Sequence, residues 1–367
     1  SFISTENIKW DFAEPFAFLM DMSLLGVGVG SDTRGEGTIK LVEPKKSNET
    51  ILIEDSREGW VTALTRILEA YTGKNSLPAR IDYSLIRPKG APIITSGGTA
   101  PGPEPLRILL EEDIPKVLNK AIGKPIDSET IVDLHNIIGK CVVAGGKRRT
   151  AEIMFGNPDD EKYLSLKDPE KNLEELTDRR WCSNNSILAE VGMDYSKTSK
   201  YTIKNGEPGY FWLENAQKYS RMGRIPDYKD LRVGGCNPCS EQTLENSECC
   251  NLVETFPSLH SSYEEYERTL KYAYLYSKTV TLVPTHNEKT NGIMIRNRRI
   301  GISQSGIIDS FVKHGRRNHL DWCDQGYEYL KKIDKIYSAW LGISESIKIS
   351  STKPSGSVSL LPGVSPG

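Results

Sequence analysis

Short apolar or β-branched runs alternate with helical ones through the second half of the chain. Residues 186–191, 210–213, 293–295 and 347–350 read as strands, and residues 263–277, 306–313 and 324–341 as helices. Parallel strands need a crossover of a dozen or more residues, usually a helix, so this alternation selects an α/β fold with a largely parallel sheet, open or closed. A further helix is expected over residues 14–25, where Phe16, Phe18, Leu19, Met22 and Leu25 keep helical spacing up to Gly26. The glycine–valine alternation of residues 26–30 lacks the spacing of a dinucleotide fingerprint, and here the helix precedes the glycines. The chain carries no repeat of 20–50 residues and no low-complexity tract.

Residues 37–130 are of mixed composition. They read as a strand pair over 41–53 around a polar turn at 45–48, a helix over 59–71 capped by Asp55 or Ser56, and a strand over 81–85. The Gly/Pro-rich segments 87–92 and 97–103 are loops, and a helix over 128–141 leads to Gly145-Gly146-Lys147-Arg148-Arg149.

Composition excludes some partners. With 47 Lys+Arg against 49 Asp+Glu, nothing electrostatic draws the chain to nucleic acid. Apolar runs such as 16–20 fall far short of the roughly 20 residues of a membrane span. Seven cysteines in 367 residues are too sparse for a disulfide scaffold and suit a reducing, cytoplasmic compartment, a host's cytoplasm if the gene is viral. Neither Ser1 nor Gly367 reads as a natural terminus, so the chain is expected to be a piece of something longer.

Cys236, Cys239, Cys249 and Cys250 crowd together, while Cys141, Cys182 and Cys323 stand apart. Two thiolate pairs could close a zinc site, although adjacent Cys249 and Cys250 cannot easily face one ion. Inert buried thiols are a second reading. A third uses the intervening residues: Asn237, Cys239 and Glu241 alternate, and in an extended loop an amide, a thiol and a carboxylate would project to one side, roughly 6–7 Å apart. Pro238 disfavours helix at Asn237. One small substrate could then meet a hydrogen-bonding group, a sulfur and a general base together.

Asn237-Pro238-Cys239-Ser240-Glu241-Gln242 followed by Cys250-Asn251-Leu252 resembles the finger loop of ribonucleotide reductases. Residues 1–30, 55–60, 90–93, 97–100, 142–153, 184–186, 296–301 and 353–363 are similar, in the same order, to motifs of the monomeric, adenosylcobalamin-dependent (class II) members. The resemblance implies a ten-stranded α/β barrel with a central finger loop at 236–242. Residues 1–36 would begin the barrel, 37–130 would be an insertion carrying a deoxynucleotide effector site, and 131–367 would continue the barrel.

It further implies the chemistry. Cys239 would become a thiyl radical through adenosylcobalamin (coenzyme B12) and abstract the 3′ hydrogen of a ribonucleotide, a triphosphate in this family; the radical chemistry is the cofactor's and the protein positions the sulfur. Glu241 would take the 3′-hydroxyl proton, as a carboxylate ionised at neutral pH can, and Asn237 would hold substrate and Glu241. Cys250, eleven residues after Cys239, would be one of the two reducing thiols, re-reduced by a thioredoxin-type partner. Cys249 beside it would face away, because side chains alternate on a strand. The partner thiol of Cys250 would lie just before the residues Ser1 resembles, so the chain is expected to be the middle of a split or spliced enzyme completed by other polypeptide segments.

Pro354, Ser355, Gly356 and Ser357 would bind the substrate phosphates, with Lys353 adding charge, although a Ser/Gly turn alone is a weak motif. Asn184 and Ser186 would lie near the ribose, or else cap a turn. Gly145, Gly146, Lys147, Arg148 and Arg149 would form the loop between substrate base and effector; read without the resemblance they are a solvated basic turn. The histidines show no metal spacing, and His314 and His319, beside Arg316 and Arg317, read as solvated surface. No metal site is expected.

Overall fold

Crossover helices dictate the sheet of the first half. The computed structural model describes residues 1–93, 98–144 and 150–367, in two units, Ser1–Leu213 and Glu214–Gly367. Strands of the first unit are β1 (Phe2–Ile3), β2 (Val29–Asp32), β3 (Thr50–Leu52), β4 (Arg80–Asp82), β5 (Glu152–Gly156), β6 (Ser183–Leu188) and β7 (Gly209–Phe211). β1, β2, β5, β6 and β7 form, in that order, an all-parallel sheet. The helix Glu14–Leu24 connects β1 to β2 and packs against the helix Ser128–Val143, which is buried almost throughout and precedes β5. Asp127 starts that second helix by accepting a hydrogen bond from the Thr130 amide (2.8 Å). A buried carboxylate, Asp133, ties it to Arg179 and Arg180 (2.8 and 2.7 Å) at the entry to β6.

Residues 41–53 do not form a strand pair. Only Thr50–Leu52 is a strand, and its partner is β4, parallel to it, on the far side of the helix Arg57–Ala70. The helix intervenes because Ser56 caps it through the Gly59 amide (2.9 Å), so the chain makes a β–α–β crossover instead of a local turn.

The second unit is built from β8 (Val233–Cys236), β9 (Thr243–Glu245), β10 (Leu252–Thr255) and β11 (Gly301–Gln304). β8 and β9 form an antiparallel hairpin, and β10 runs parallel to β11, which is bridged in turn to Ser350. The helices Tyr263–Val280 and Arg316–Leu341 pack on this pair around Tyr266, Leu270, Tyr274, Ile302, Leu330 and Ile333. The expected strand at 293–295 is part of a helix, Glu288–Asn297, initiated by Asn287 accepting from the Thr290 amide (3.1 Å); a three-residue apolar run does not by itself distinguish the two states. His319 is not solvated surface: it is 2% exposed, because the last helix begins eight residues before the expected Asp324 and carries His319 inward. Among the described residues no helix is long and apolar enough to cross a membrane.

Gly139 shows how tightly helix and sheet fit in the first unit. A Cβ there would overlap Glu152 Oε1, a buried carboxyl whose pKa burial raises well above the ordinary value. Glycine to alanine in a helix normally stabilises by about 1 kcal/mol. Gly139→Ala is expected instead to destabilise by about 1–3 kcal/mol through overpacking, read as a lower denaturation midpoint at unchanged m-value.

Candidate active site

The hairpin tip carries the reactive residues, and it is a tight turn, not the extended segment that alternation of Asn237, Cys239 and Glu241 suggested. The Ser240 amide bonds the Asn237 carbonyl (2.8 Å), Ser240 takes a left-handed φ of 60°, and the Asn237 amide bonds the Gln242 carbonyl (3.3 Å). The Asn237 side chain, 4% exposed, accepts from the Gln242 amide (3.0 Å) and closes the turn. The physical reason is local: an amide side chain can satisfy a backbone N–H that a six-residue connection would otherwise leave unpaired.

This closure separates the cysteines by environment. Cys236 is fully buried, and burial pushes its thiol up to about 12. Cys239, three residues on, is exposed at the tip. Partial desolvation by the surrounding loop, then the charges of Glu241 and Cys250, raise its pKa, and Lys353 works in the opposite direction. Cys239 is therefore a protonated S–H at neutral pH, two residues from Glu241 on the same turn. Cys249 and Cys250 are both half-buried, and burial raises the Cys249 thiol to about 11. Among the described residues no three His, Cys, Asp or Glu side chains gather as a metal site would need.

Glu241 is half-buried, and its Oε2 has no partner. It faces, with Gln242, Tyr219, Ser220, Lys348 and Ser350, a cavity of about 210 Å³. Two residues that sequence reasoning missed hold this region. Gln242 Oε1 accepts from the Asn251 amide (3.0 Å), linking the hairpin to the segment of Cys250, and Ser351 Oγ donates to the Glu241 carbonyl (2.8 Å). Only the polarity of the segment 237–242 hinted at the first; nothing in the sequence pointed to the second.

Ser355 has φ 56°, is 5% exposed, and its Oγ lacks a partner, while Pro354, Gly356 and Ser357 are exposed. Lys353 donates its amide to Ser303 Oγ (2.8 Å), and its ammonium lies 3.8 Å from Glu254 Oε2. In the first unit Asn184 and Ser186 occupy alternate positions on β6, and both are less buried than their neighbours Ser183, Asn185 and Ile187. The loop Gly145, Gly146, Lys147, Arg148 and Arg149 lies outside the described residues.

A buried ion-pair ring anchors the hairpin. Arg299, 0% exposed, bonds Asp230 through both terminal nitrogens (2.5 and 2.8 Å) and Glu248 through Nε (3.0 Å). Lys348 adds a contact to Asp230 (3.1 Å) and one to Thr243 (2.8 Å). Asp230 and Glu248 lie three residues outside β8 and β9 respectively, so one guanidinium grips both legs. Burial disfavours the charged Asp230, yet Arg299 and Lys348 outweigh it and leave its pKa below the ordinary carboxylate value.

Comparisons with known proteins find relatives along the whole chain. Residues 36–118 match the model of the B12-dependent ribonucleotide reductase insertion domain. A Dictyostelium discoideum protein named probable adenosylcobalamin-dependent ribonucleoside-triphosphate reductase is 50% identical over 387 aligned residues, covering 100% of this chain and 50% of the relative. The adenosylcobalamin-dependent ribonucleoside-triphosphate reductase of Euglena gracilis is 48% identical, with the same coverages, and that of Lactobacillus leichmannii 36% identical over 86% of this chain and 46% of its own length. The crystal structure of a B12-dependent (class II) ribonucleotide reductase superposes with a TM-score of 0.87 at 31% identity, over 97% of this chain and 57% of that one.

All of these are ribonucleotide reductases. Among them, the chain belongs to the adenosylcobalamin-dependent, class II family. It spans about half the length of the curated relatives it matches.

Arg299→Ala leaves two buried carboxylates facing each other and is expected to cost about 3–5 kcal/mol, measured by denaturant unfolding. Because the folded-state pKa of Asp230 is depressed, its contribution is present above the unfolded value of about 3.9 and is lost as pH falls through the folded one; the wild-type chain should lose stability in that acid window, and Asp230→Asn should lose less there. Alkylation of Cys239, followed by peptide mass spectrometry, should rise with pH about a midpoint above that of a free thiol.

Proposed function

We propose that this chain supplies the catalytic hairpin of a ribonucleoside-triphosphate reductase that makes 2′-deoxynucleotides. The observation that carries the reading is the exposed, protonated Cys239 thiol on the same hairpin tip as Glu241, with the segment of Cys250 bonded to that turn through Gln242 and the Asn251 amide. The fold is read as the larger part of a ten-stranded α/β barrel, with the β8–β9 hairpin as its finger loop; the parallel strands of both units and the 0.87 TM-score support this.

The exposed thiol fits the cofactor implied by the relatives' names, because a sulfur that exchanges a hydrogen atom must be reachable, as buried Cys236 is not. Adenosylcobalamin, when bound, supplies the radical chemistry that removes the hydrogen atom from Cys239 Sγ. Cys239 then takes the 3′ hydrogen of the substrate and returns a hydrogen atom after reduction. Glu241, whose Oε2 has no partner within the chain, accepts the 3′-hydroxyl proton. Asn237 acts mainly by closing the turn that sets the positions of Cys239 and Glu241. Cys250 supplies one reducing equivalent as half of a disulfide formed with a second thiol, which a dithiol protein of the thioredoxin type reduces again.

Ser355, with its unpartnered Oγ, and the exposed Pro354, Gly356 and Ser357 receive the substrate phosphates, and Asn184 and Ser186 the ribose. Residues 37–130, which largely overlap the matched insertion domain, carry the deoxynucleotide effector site, with 145–149 as the loop that passes its state to the substrate. The whole activity is proposed for the protein in which this chain acts together with the rest of the relatives' length, whether as one polypeptide or as several segments.

With that protein, adenosylcobalamin and dithiothreitol should yield deoxynucleotide. Cys239→Ala should reduce turnover to background while nucleotide binding persists, and Cys250→Ser should stop multiple turnover. Turnover retained by Cys239→Ala would remove the proposal.

A further inference from the structure

A second thiol site lies in the same unit, in a cavity of about 300 Å³ between β11 and the helix Arg316–Leu341. Its walls include the apolar and aromatic side chains of Tyr266, Leu270, Phe311 and Trp322, and three of its polar residues, Gln304, His319 and Cys323, meet one another. There Cys323 Sγ lies 3.4 Å from His319 Nε2, one helical turn earlier, and 3.5 Å from Gln304 Nε2. His319 is held from its other side by Ser310 Oγ at Nδ1 (2.8 Å), and the Phe311 ring meets it edge-on at 5.0 Å. Nucleophile, base and a third group that orients the base are thus in hydrogen-bond sequence. Arg221, which also lines the cavity, pairs with Asp324 through Nη2 (2.8 Å) and stacks on Tyr327, while its Nη1 is buried without a partner.

We propose that Cys323 is a site of reversible thiol–disulfide modification by a small, carboxylate-bearing disulfide, with His319 as base and Arg221 Nη1 as the carboxylate's donor. His319 Nε2 takes the proton from Cys323 Sγ, the thiolate attacks one sulfur of R–S–S–R, and the S–S bond breaks. The leaving RS⁻ recovers the proton from the imidazolium as RSH. Cys323 is oxidised to a mixed disulfide and one reagent sulfur is reduced, so no further oxidant is needed. Burial raises the thiol and lowers the imidazole from their ordinary values, so the resting pair is neutral; Arg221 favours the thiolate, while Asp324 opposes it and His314 opposes the imidazolium.

The cavity also explains a consequence for the proposed reductase. Ser350, Ser351 and Thr352 line it, and Ser351 Oγ holds the Glu241 carbonyl. A group attached to Cys323 stands against the segment that steadies the hairpin tip. That consequence rests on the proposed function, but the modification does not.

The test is peptide mass spectrometry of the chain incubated with 3,3′-dithiodipropionate, with neutral 2-hydroxyethyl disulfide in parallel. Cys323 should form the mixed disulfide, reversed by dithiothreitol. His319→Gln should slow it on the order of tenfold or more. Arg221→Met should slow the dicarboxylate reagent and leave the neutral one unchanged, which a misfolded variant would not do. After modification, the iodoacetamide rate at Cys239 should change in wild type and not in Cys323→Ser. An unmodified Cys323 beside a modified Cys239, or equal rates in wild type and His319→Gln, would overturn the site. An unchanged Cys239 rate would overturn the coupling, and none of these outcomes depends on nucleotide reduction.

Discussion

A guanidinium removed from water costs several kcal/mol unless carboxylates surround it, and a lone buried carboxylate costs as much. Arg299, Asp230 and Glu248 meet that requirement only together, at one place in the second unit. Each comes from a different stretch: ahead of β8, beyond β9, and just ahead of β11. Their mutual need therefore fixes three chain segments at once, and Lys348 draws in a fourth. Hydrophobic burial would tolerate sliding of the hairpin, but a planar fork facing two carboxylates does not. The short strands β8 and β9, with few ladder bonds of their own, depend on this ring for their position.

Above the ring the hairpin changes character. Its lower part is buried, and Cys236 there is an inert thiol; its tip is exposed, and Cys239 there is reachable. The transition takes three residues because Asn237 turns its side chain back onto the Gln242 amide while Gln242 turns outward to the Asn251 amide. One amide closes the turn, and the other ties it to the segment just after the second thiol. Two cysteines of the same hairpin thus acquire different chemistry without any difference in sequence neighbourhood that composition could register.

The α/β class was legible because period and punctuation are local: the helices 14–25, 59–71, 128–141 and 263–277 were placed within a few residues by their apolar spacing and caps. The candidate residues 237, 239, 241 and 250 stood out as a motif, but the geometry of the turn did not, since it depends on which amide Asn237 finds. Partners remote in sequence were invisible. Ser351 meets Glu241 across 110 positions, and β3 pairs with β4 across a helix whose place was legible although the pairing was not. His319 was misplaced for a related reason: two neighbouring arginines suggested solvent, whereas a helix starting earlier turned the imidazole to the core.

The distance between ring and thiol has a mechanical meaning. Lys348 of the ring holds Thr243, the β9 residue opposite Cys236, so Cys239 projects beyond its anchorage by three residues at about 3.3 Å each, roughly 10 Å at most. On an arm of that length a tilt of about 5° displaces the sulfur by roughly 1 Å, an error that can cost on the order of a hundredfold in a reaction sensitive to alignment. The angular tolerance of the hairpin tip is therefore set in part at Arg299 and Lys348, side chains that need not touch a reacting atom to govern it.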